Sequence, residues 1–170
     1  MDRLAGGERA EGDYDGFFRA QFPGVVRAVY LICQDRQTAE DVAQEAFTQL
    51  LVNWTKVSAY ERPEAWVRRV AIRLAVRASR RDERRRVLHR EIEPTPVKGP
   101  GDPDLVDALR RLPPKQRAAI ALFYFEDRPV DEVAAILACT PSTVRVHLHK
   151  ARHRLADLLG ESTEERSDVD

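Results

Sequence analysis

"TPSTVRVHLHKARHRL", residues 140–155, holds one lysine, three arginines and three histidines, and no acid. Wound at about 100° per residue, its Val144, Leu148, Ala151 and Leu155 fall on one edge and form a core stripe. Ser142, Val146, His149 and His153 fall on the opposite face, flanked by Arg145 and Lys150. Thr140 fits the N-cap, and Pro141 the first helical position, where a missing amide costs nothing. Just upstream, "PVDEVAAILA" reads as a short helix with Asp131 and Glu132 near the positive end of its dipole, and "CT" as a tight turn. A short helix, a tight turn and a second helix with polar N-terminal residues make a helix-turn-helix. Its outward groups suit base edges: Arg for guanine, a valine methyl against thymine. Lys150, Arg152 and Arg154 suit phosphates.

Such a basic helix is unexpected in a balanced chain. The 170 residues carry 28 basic and 28 acidic side chains, for a formal net charge of zero. The balance hides a segregation. From Arg68 to Arg90 there are ten arginines against only Asp82 and Glu83, and from Pro141 to Leu155 the balance is four positive charges. The acids gather in the N-terminal arm, near Glu40–Glu45, in "GDPDLVD", in "EDRPVDE" and in the tail. Two basic patches in an otherwise acidic molecule predict two contacts with a polyanion.

Length, composition and periodicity predict an all-helical protein of two small bundles. Cys33 and Cys139 form no CxxC pair and read as small core residues of a reducing cytoplasm. No apolar run approaches a membrane span, and the polar N-terminus is unlike a signal peptide, so a cytoplasmic location with no membrane is expected. Residues 1–13 are expected to be a disordered arm.

In the first bundle, residues 14–90, a stripe of Phe18, Phe22, Val25, Val26, Val29 and Ile32 precedes a second helix. Pro23 is expected to kink the first helix or start a new turn. The second helix opens on a capping box of Thr38 and Asp41. Val42, Ala46, Phe47, Leu50, Leu51 and Trp54 form its apolar face, and Asp41, Gln44, Glu45 and Thr48 an acidic and amide stripe opposite. After the loop "TKVSAYER" and Pro63, a third helix buries Trp66, Val67, Val70, Ala71, Leu74 and Ala78. Arg69, Arg73, Arg77 and Arg80 run alongside at helical spacing, and Arg81 and Arg84 continue the charge. Trp54 and Trp66 read as core residues, Trp66 being the better candidate for base stacking.

"EPTPVKGPG", residues 93–101, puts three prolines and two glycines in nine positions. It cannot be helical and marks a tether, bounded as 91–103. The second bundle spans 104–160. In it, "DPDLVDALRRL" stops at Pro113-Pro114, and "KQRAAIALFYF" is expected to turn Ala119, Ile120, Phe123 and Tyr124 inward. The acidic stretch 161–170 is expected to be a disordered tail.

Read together, these segments resemble a bacterial sigma factor of the sigma-70 family, extracytoplasmic-function group, over about residues 14–160. "AEDVAQEAF" looks like that group's core-binding helix, and "PEAWVRRVAIRLAVRASRR" is similar to its downstream-promoter helix. "LPPKQRAAIALFYFEDRPVDEVAAILACTPSTVRVHLHKARHRL" is similar to its upstream-promoter reader.

The resemblance implies two DNA surfaces. The minus-thirty-five element would meet Ser142, Thr143, Arg145, Val146, His147, His149, Lys150 and Arg152. The minus-ten element would meet Arg69, Arg73, Arg77, Arg80, Arg81 and Arg84, with an unstacked base held in a pocket; arginine suits this because it stacks on exposed bases and neutralises phosphates. Core RNA polymerase is the implied partner, its largest-subunit clamp docking on Asp41, Gln44, Glu45 and Thr48 and its second-subunit flap on the second domain. An anti-sigma factor is a further implied partner. No cofactor and no metal are expected, and the location implied is the bacterial cytoplasm and nucleoid.

Two positions depart from the family pattern. Arg73 stands where Asn is usual, which alters what the flipped-base site selects, because a five-donor cation is not an amide. The turn before the recognition helix, usually glycine-containing, reads Ala138-Cys139, so another residue takes the strained conformation or the turn is of a different type.

Three rival readings of the same residues exist. His149 and His153 are spaced as in zinc helices, but no acid or cysteine in the local sequence offers a third ligand. Neither a Gly-rich phosphate loop nor a nucleophile elbow is present, so no enzyme is expected. A stand-alone helix-turn-helix regulator is the alternative, separable by whether DNA binding needs polymerase.

Overall fold

The structure is a computed structural model describing residues 3–89 and 103–167, with side chains described for 13–85, 87 and 104–160. Every regular element among the described residues is helical. The first domain comprises α1 (Arg3–Cys33), α2 (Arg36–Val52), the single turn α3 (Trp54–Val57) and α4 (Pro63–His89). The second comprises α5 (Pro103–Arg110), α6 (Pro114–Ile120) running into a π-helical turn (Ala121–Phe125), α7 (Val130–Leu137) and α8 (Pro141–Ser167). Apart from Pro103, which opens α5, the expected tether lies outside the described residues.

Aromatic packing fixes the first domain. Phe47 of α2 is 1% exposed and meets Phe18 edge-on at 4.9 Å between ring centroids. Trp54 lies against Tyr14 at 5.4 Å and Phe17 at 5.1 Å, and the Tyr14 hydroxyl donates to the Phe47 carbonyl at 2.8 Å. Each such ring pair adds about 0.5–1.5 kcal/mol beyond the area it buries. Trp54 is thus a core residue, as its apolar position predicts.

Several local expectations are corrected. The cap of α2 is Asp35, whose carboxylate accepts the Thr38 amide at 2.7 Å, so the helix starts earlier than a Thr38/Asp41 box would allow. Leu51 is 51% exposed rather than part of the apolar face, because α2 ends at Val52 and Trp54 belongs to a separate turn. α1 runs unbroken through Pro23, which forfeits one ladder bond without ending the helix. α1 begins at Arg3 and α8 runs to Ser167. Propagating a helix already fixed by packing adds one hydrogen bond per residue without a new nucleus.

In the second domain α8 buries Val144, Leu148 and Ala151 to 3% exposure or less against α5, α6 and α7, the stripe its periodicity predicts. Tyr124, expected inward, is 52% exposed. The π-helical turn is the reason: Glu126 N–H bonds the Ala121 carbonyl five residues back, and the extra residue rotates Tyr124 and Phe125 off the buried face.

The two domains do not stand apart. α6 packs on α1 and α4, and α7 on α4, so one apolar core runs through both. On α4 this buries Ile72 to 2% and Val76 to 8%, two residues absent from the predicted face.

Candidate nucleic-acid interface

The turn into α8 resolves the question raised by its missing glycine. Ala138 itself is left-handed (φ 52°, ψ 50°), and the Cys139 amide bonds the Ala134 carbonyl at 3.0 Å. Thr140 then caps α8 as expected, its Oγ1 accepting the Thr143 amide at 3.2 Å. The same Oγ1 lies 2.8 Å from the Ser142 hydroxyl and 2.8 Å from the Thr143 hydroxyl.

Beyond that cap the predicted reading residues divide. Arg145, Val146, His149 and Lys150 are exposed, and no hydrogen bond or ion pair to another described residue engages Arg145 or Lys150. His149 touches the His153 ring edge-on at 4.4 Å. Among the described residues no group of three or more His, Cys, Asp or Glu is gathered as a metal site. Ser142 is exposed while Thr143 is half-buried, both in the hydroxyl cluster. Arg152 is exposed but braced: its Nε donates to the Leu148 carbonyl at 3.2 Å and its Nη1 to the Tyr124 hydroxyl at 3.4 Å. His147 is half-buried, lining a pocket of about 280 Å³ with Arg80, Glu83 and Lys115. Burial, then the charges of Lys115 and Lys150, push its pKa below the ordinary histidine value.

On α4 the six predicted arginines also divide. Arg77, Arg80, Arg81 and Arg84 are exposed, and among the described residues they line an open groove of about 260 Å³. Four guanidinium groups, with no carboxylate among the described lining residues, make a surface that attracts anions. Arg69 is exposed at the edge of a second cavity, of about 360 Å³, between the domains. Its first-domain wall includes Tyr60, Arg62 and the half-buried Trp66. In the sequence Tyr60 and Arg62 read as part of the loop before Pro63. Their placement just before the α4 start at Pro63 was the available signal. Arg73 points elsewhere: its Nε donates to the Ile136 carbonyl and its Nη2 to the Ala135 carbonyl, each at 3.0 Å.

The predicted acidic and amide stripe keeps one exposed face of α2. Asp41, Gln44, Glu45 and Thr48 all lie exposed on α2. Asp41 accepts from Gln37 at 2.9 Å and Glu45 from Gln49 at 3.5 Å, amides in both cases, so neither charge is neutralised by a cation of the described chain. The neighbouring Glu40, by contrast, pairs with Arg36 at 3.0 Å.

The likeness to known proteins follows the same division. Residues 17–86 match the family description "Sigma-70 region 2", and residues 104–155 match "Sigma-70, region 4". The chain belongs to the sigma-70 family. The ECF RNA polymerase sigma factor SigE of Mycolicibacterium smegmatis is 29% identical over 174 residues, covering 94% of this chain and 66% of that relative. The RNA polymerase sigma-E factor of Streptomyces coelicolor is 25% identical over 152 residues, covering 86% of each. The sigma factor SigV of Bacillus subtilis is 28% identical over 129 residues, covering 74% of this chain and 78% of its own length. These relatives place the sigma factor in the extracytoplasmic-function group, whose members are initiation factors and not enzymes. Among solved structures, the sigma factor RpoE of Bartonella quintana, crystallised with the anti-sigma factor NepR, shares the fold with a TM-score of 0.68 at 21% identity, over 87% of this chain and 97% of that one. No helix among the described residues is long and apolar enough to cross a membrane.

Proposed function

We propose that this chain is an alternative sigma factor that joins core RNA polymerase and directs initiation at promoters carrying its own minus-thirty-five and minus-ten elements. The observation that carries this reading is the pairing, in one chain, of a capped recognition helix with a groove lined, among the described residues, by four arginines. Arg145, Val146, His149 and Lys150 read the upstream duplex, and Ser142, Thr143 and Arg152 support that surface from its cap and its brace. Arg77, Arg80, Arg81 and Arg84 hold the backbone of the opened strand, Arg69 and Trp66 border the site of the unstacked base, and Arg73, which bonds the α7 carbonyls, and the half-buried His147 stand at the margins of the two surfaces.

Asp41, Gln44, Glu45 and Thr48 dock on the polymerase clamp, a role supported by carboxylates free of internal cations. The flap of the second subunit meets the second domain. The chain works in the bacterial cytoplasm at the nucleoid. An anti-sigma factor that covers these surfaces fits the family, and the related RpoE was crystallised with one.

In vitro transcription with purified core polymerase, followed by mapping of start sites, tests the reading. New start sites that depend on the chain are expected. A chain that footprints DNA alone and leaves initiation unchanged is instead a stand-alone regulator.

A further inference from the structure

From the juxtaposition of His149 and His153 we infer that the exposed face of α8 binds one exchangeable transition-metal ion, of the class of Zn2+, Ni2+ and Cu2+. The site stands on geometry alone; its effect on DNA rests on the proposed reading of α8 as the upstream reader.

The helical register makes the pair. Side chains four residues apart on a helix are neighbours, with Cβ atoms about 5–6 Å from one another. Both rings are exposed, and they already meet edge-on at 4.4 Å between centroids and 70° between planes. Imidazole nitrogens bind such ions at about 2.0–2.1 Å, so two of them sharing an ion at a tetrahedral angle stand about 3.4 Å apart, with ring centroids about 5 Å apart. The rings reach that arrangement by opening roughly half an ångström, which a side-chain rotation supplies with no change in the backbone. Once one imidazole holds the ion, the helix keeps the second at high effective concentration beside it.

The surroundings decide what kind of site this is. Among the described residues no third His, Cys, Asp or Glu is gathered with the pair, so water fills the remaining positions. A structural zinc centre takes four protein ligands and holds a fold together. Here α8 is already capped by Thr140 and buried along Val144, Leu148 and Ala151, so the ion is not needed for folding. The exposed cations Arg145, Lys150 and Arg154 repel it, which keeps the site weak and exchangeable; the exposed Asp157, one turn beyond His153, offsets part of that charge. Imidazole suits Zn2+, Ni2+ and Cu2+, whereas Mg2+ takes oxygen ligands and passes the pair by. His149 cannot serve two ligands at once. An ion held between the rings ties up its coordinating nitrogen and turns it toward His153, away from base edges. Metal and duplex thus compete for one ring, each weakening the other by the same factor.

Zn2+ titrated into the untagged full-length chain, without polymerase or DNA, tests the site, with NMR of the histidine rings as the readout. The His149 and His153 signals should shift together and saturate with one ion per chain, while the His147 ring stays in place and Mg2+ at the same concentration moves none of them. By titration calorimetry H149A and H153A should each weaken Zn2+ binding by roughly tenfold or more, because either change removes the chelate. Circular dichroism should show the helix content of the parent in both. No uptake of Zn2+, uptake that either variant leaves undiminished, or an equal response to Mg2+ would overturn the site. For the competition, Zn2+ should weaken promoter binding by holoenzyme carrying the parent chain and leave holoenzyme carrying H153A unaffected. Promoter binding that is unchanged or strengthened when the pair is loaded would overturn it. The first titration needs neither polymerase nor DNA, so its failure is distinct from failure of the transcription test.

Discussion

Arg145→Ala is the variant with the simplest reading. The side chain is exposed on α8 and no described residue bonds it, so truncation should leave the fold within about 0.5 kcal/mol of the parent. The loss therefore falls on DNA. If the guanidinium grips guanine O6 and N7, about 1–3 kcal/mol disappears at that base pair. At about 1.4 kcal/mol per tenfold, that is roughly a 5- to 150-fold weaker complex. The loss is confined to promoters with guanine at that position; on a promoter already altered there, variant and parent should bind alike. The assay is holoenzyme binding to promoters with each minus-thirty-five position replaced in turn, between about 50 and 200 mM salt. An equal loss on every promoter, with the salt slope flattened by about 0.9, would make Arg145 a phosphate contact and refute the assignment. Arg152 would be a poorer probe, because its bonds to Leu148 and Tyr124 mix lost bracing with lost contact.

Asp41→Ala with Glu45→Ala should cut core-polymerase binding by tenfold or so while leaving the affinity of the free chain for DNA unchanged, as a pull-down beside a gel-shift would report; undiminished assembly would remove the docking role. Ala138→Gly should raise stability by about 0.5–1 kcal/mol, since relief of about 1–2 kcal/mol of left-handed strain exceeds the added freedom of glycine in the unfolded chain. Ala138→Val should instead lower stability, and thermal unfolding of the two variants should move in opposite directions. Burial raises the Cys33 thiol pKa from 9.0 to about 11, the Ser79 hydrogen bond and the Arg117 charge opposing it. At pH 8 its thiolate fraction is then about a hundredfold below that of the unfolded chain, so iodoacetamide should label Cys33 at least that much more slowly before than after denaturation. The sign for stability follows: with the folded pKa raised, this contribution is whole below pH 9 and is lost, to about 2.7 kcal/mol, as pH climbs through 11. Comparison with Cys33→Ser over that range should show the parent losing more.

What the sequence determined by itself is what neighbours within four residues decide. The Thr140 cap, the Val144, Leu148 and Ala151 stripe and the outward Asp41 and Glu45 all follow from helical period and local hydrogen bonding, and so they were legible. Even the strained turn before α8 was located at Ala138-Cys139, although which residue bears the positive φ needed the backbone itself.

Only the tertiary structure decided which arginines are free. Ten of them look alike between Arg68 and Arg90. Yet Arg68 finds Glu126 across 58 residues and Arg73 finds Ile136 across 63, while Arg77, Arg80, Arg81 and Arg84 are left to open a groove. Periodicity assigns a residue to a face of its own helix; it does not say what packs there. The burial of Ile72 and Val76 and the rise in the Cys33 pKa have the same origin, since each depends on surfaces brought from far along the chain. Tyr124 turned outward because a π-helical turn breaks the very period from which its inward position was inferred.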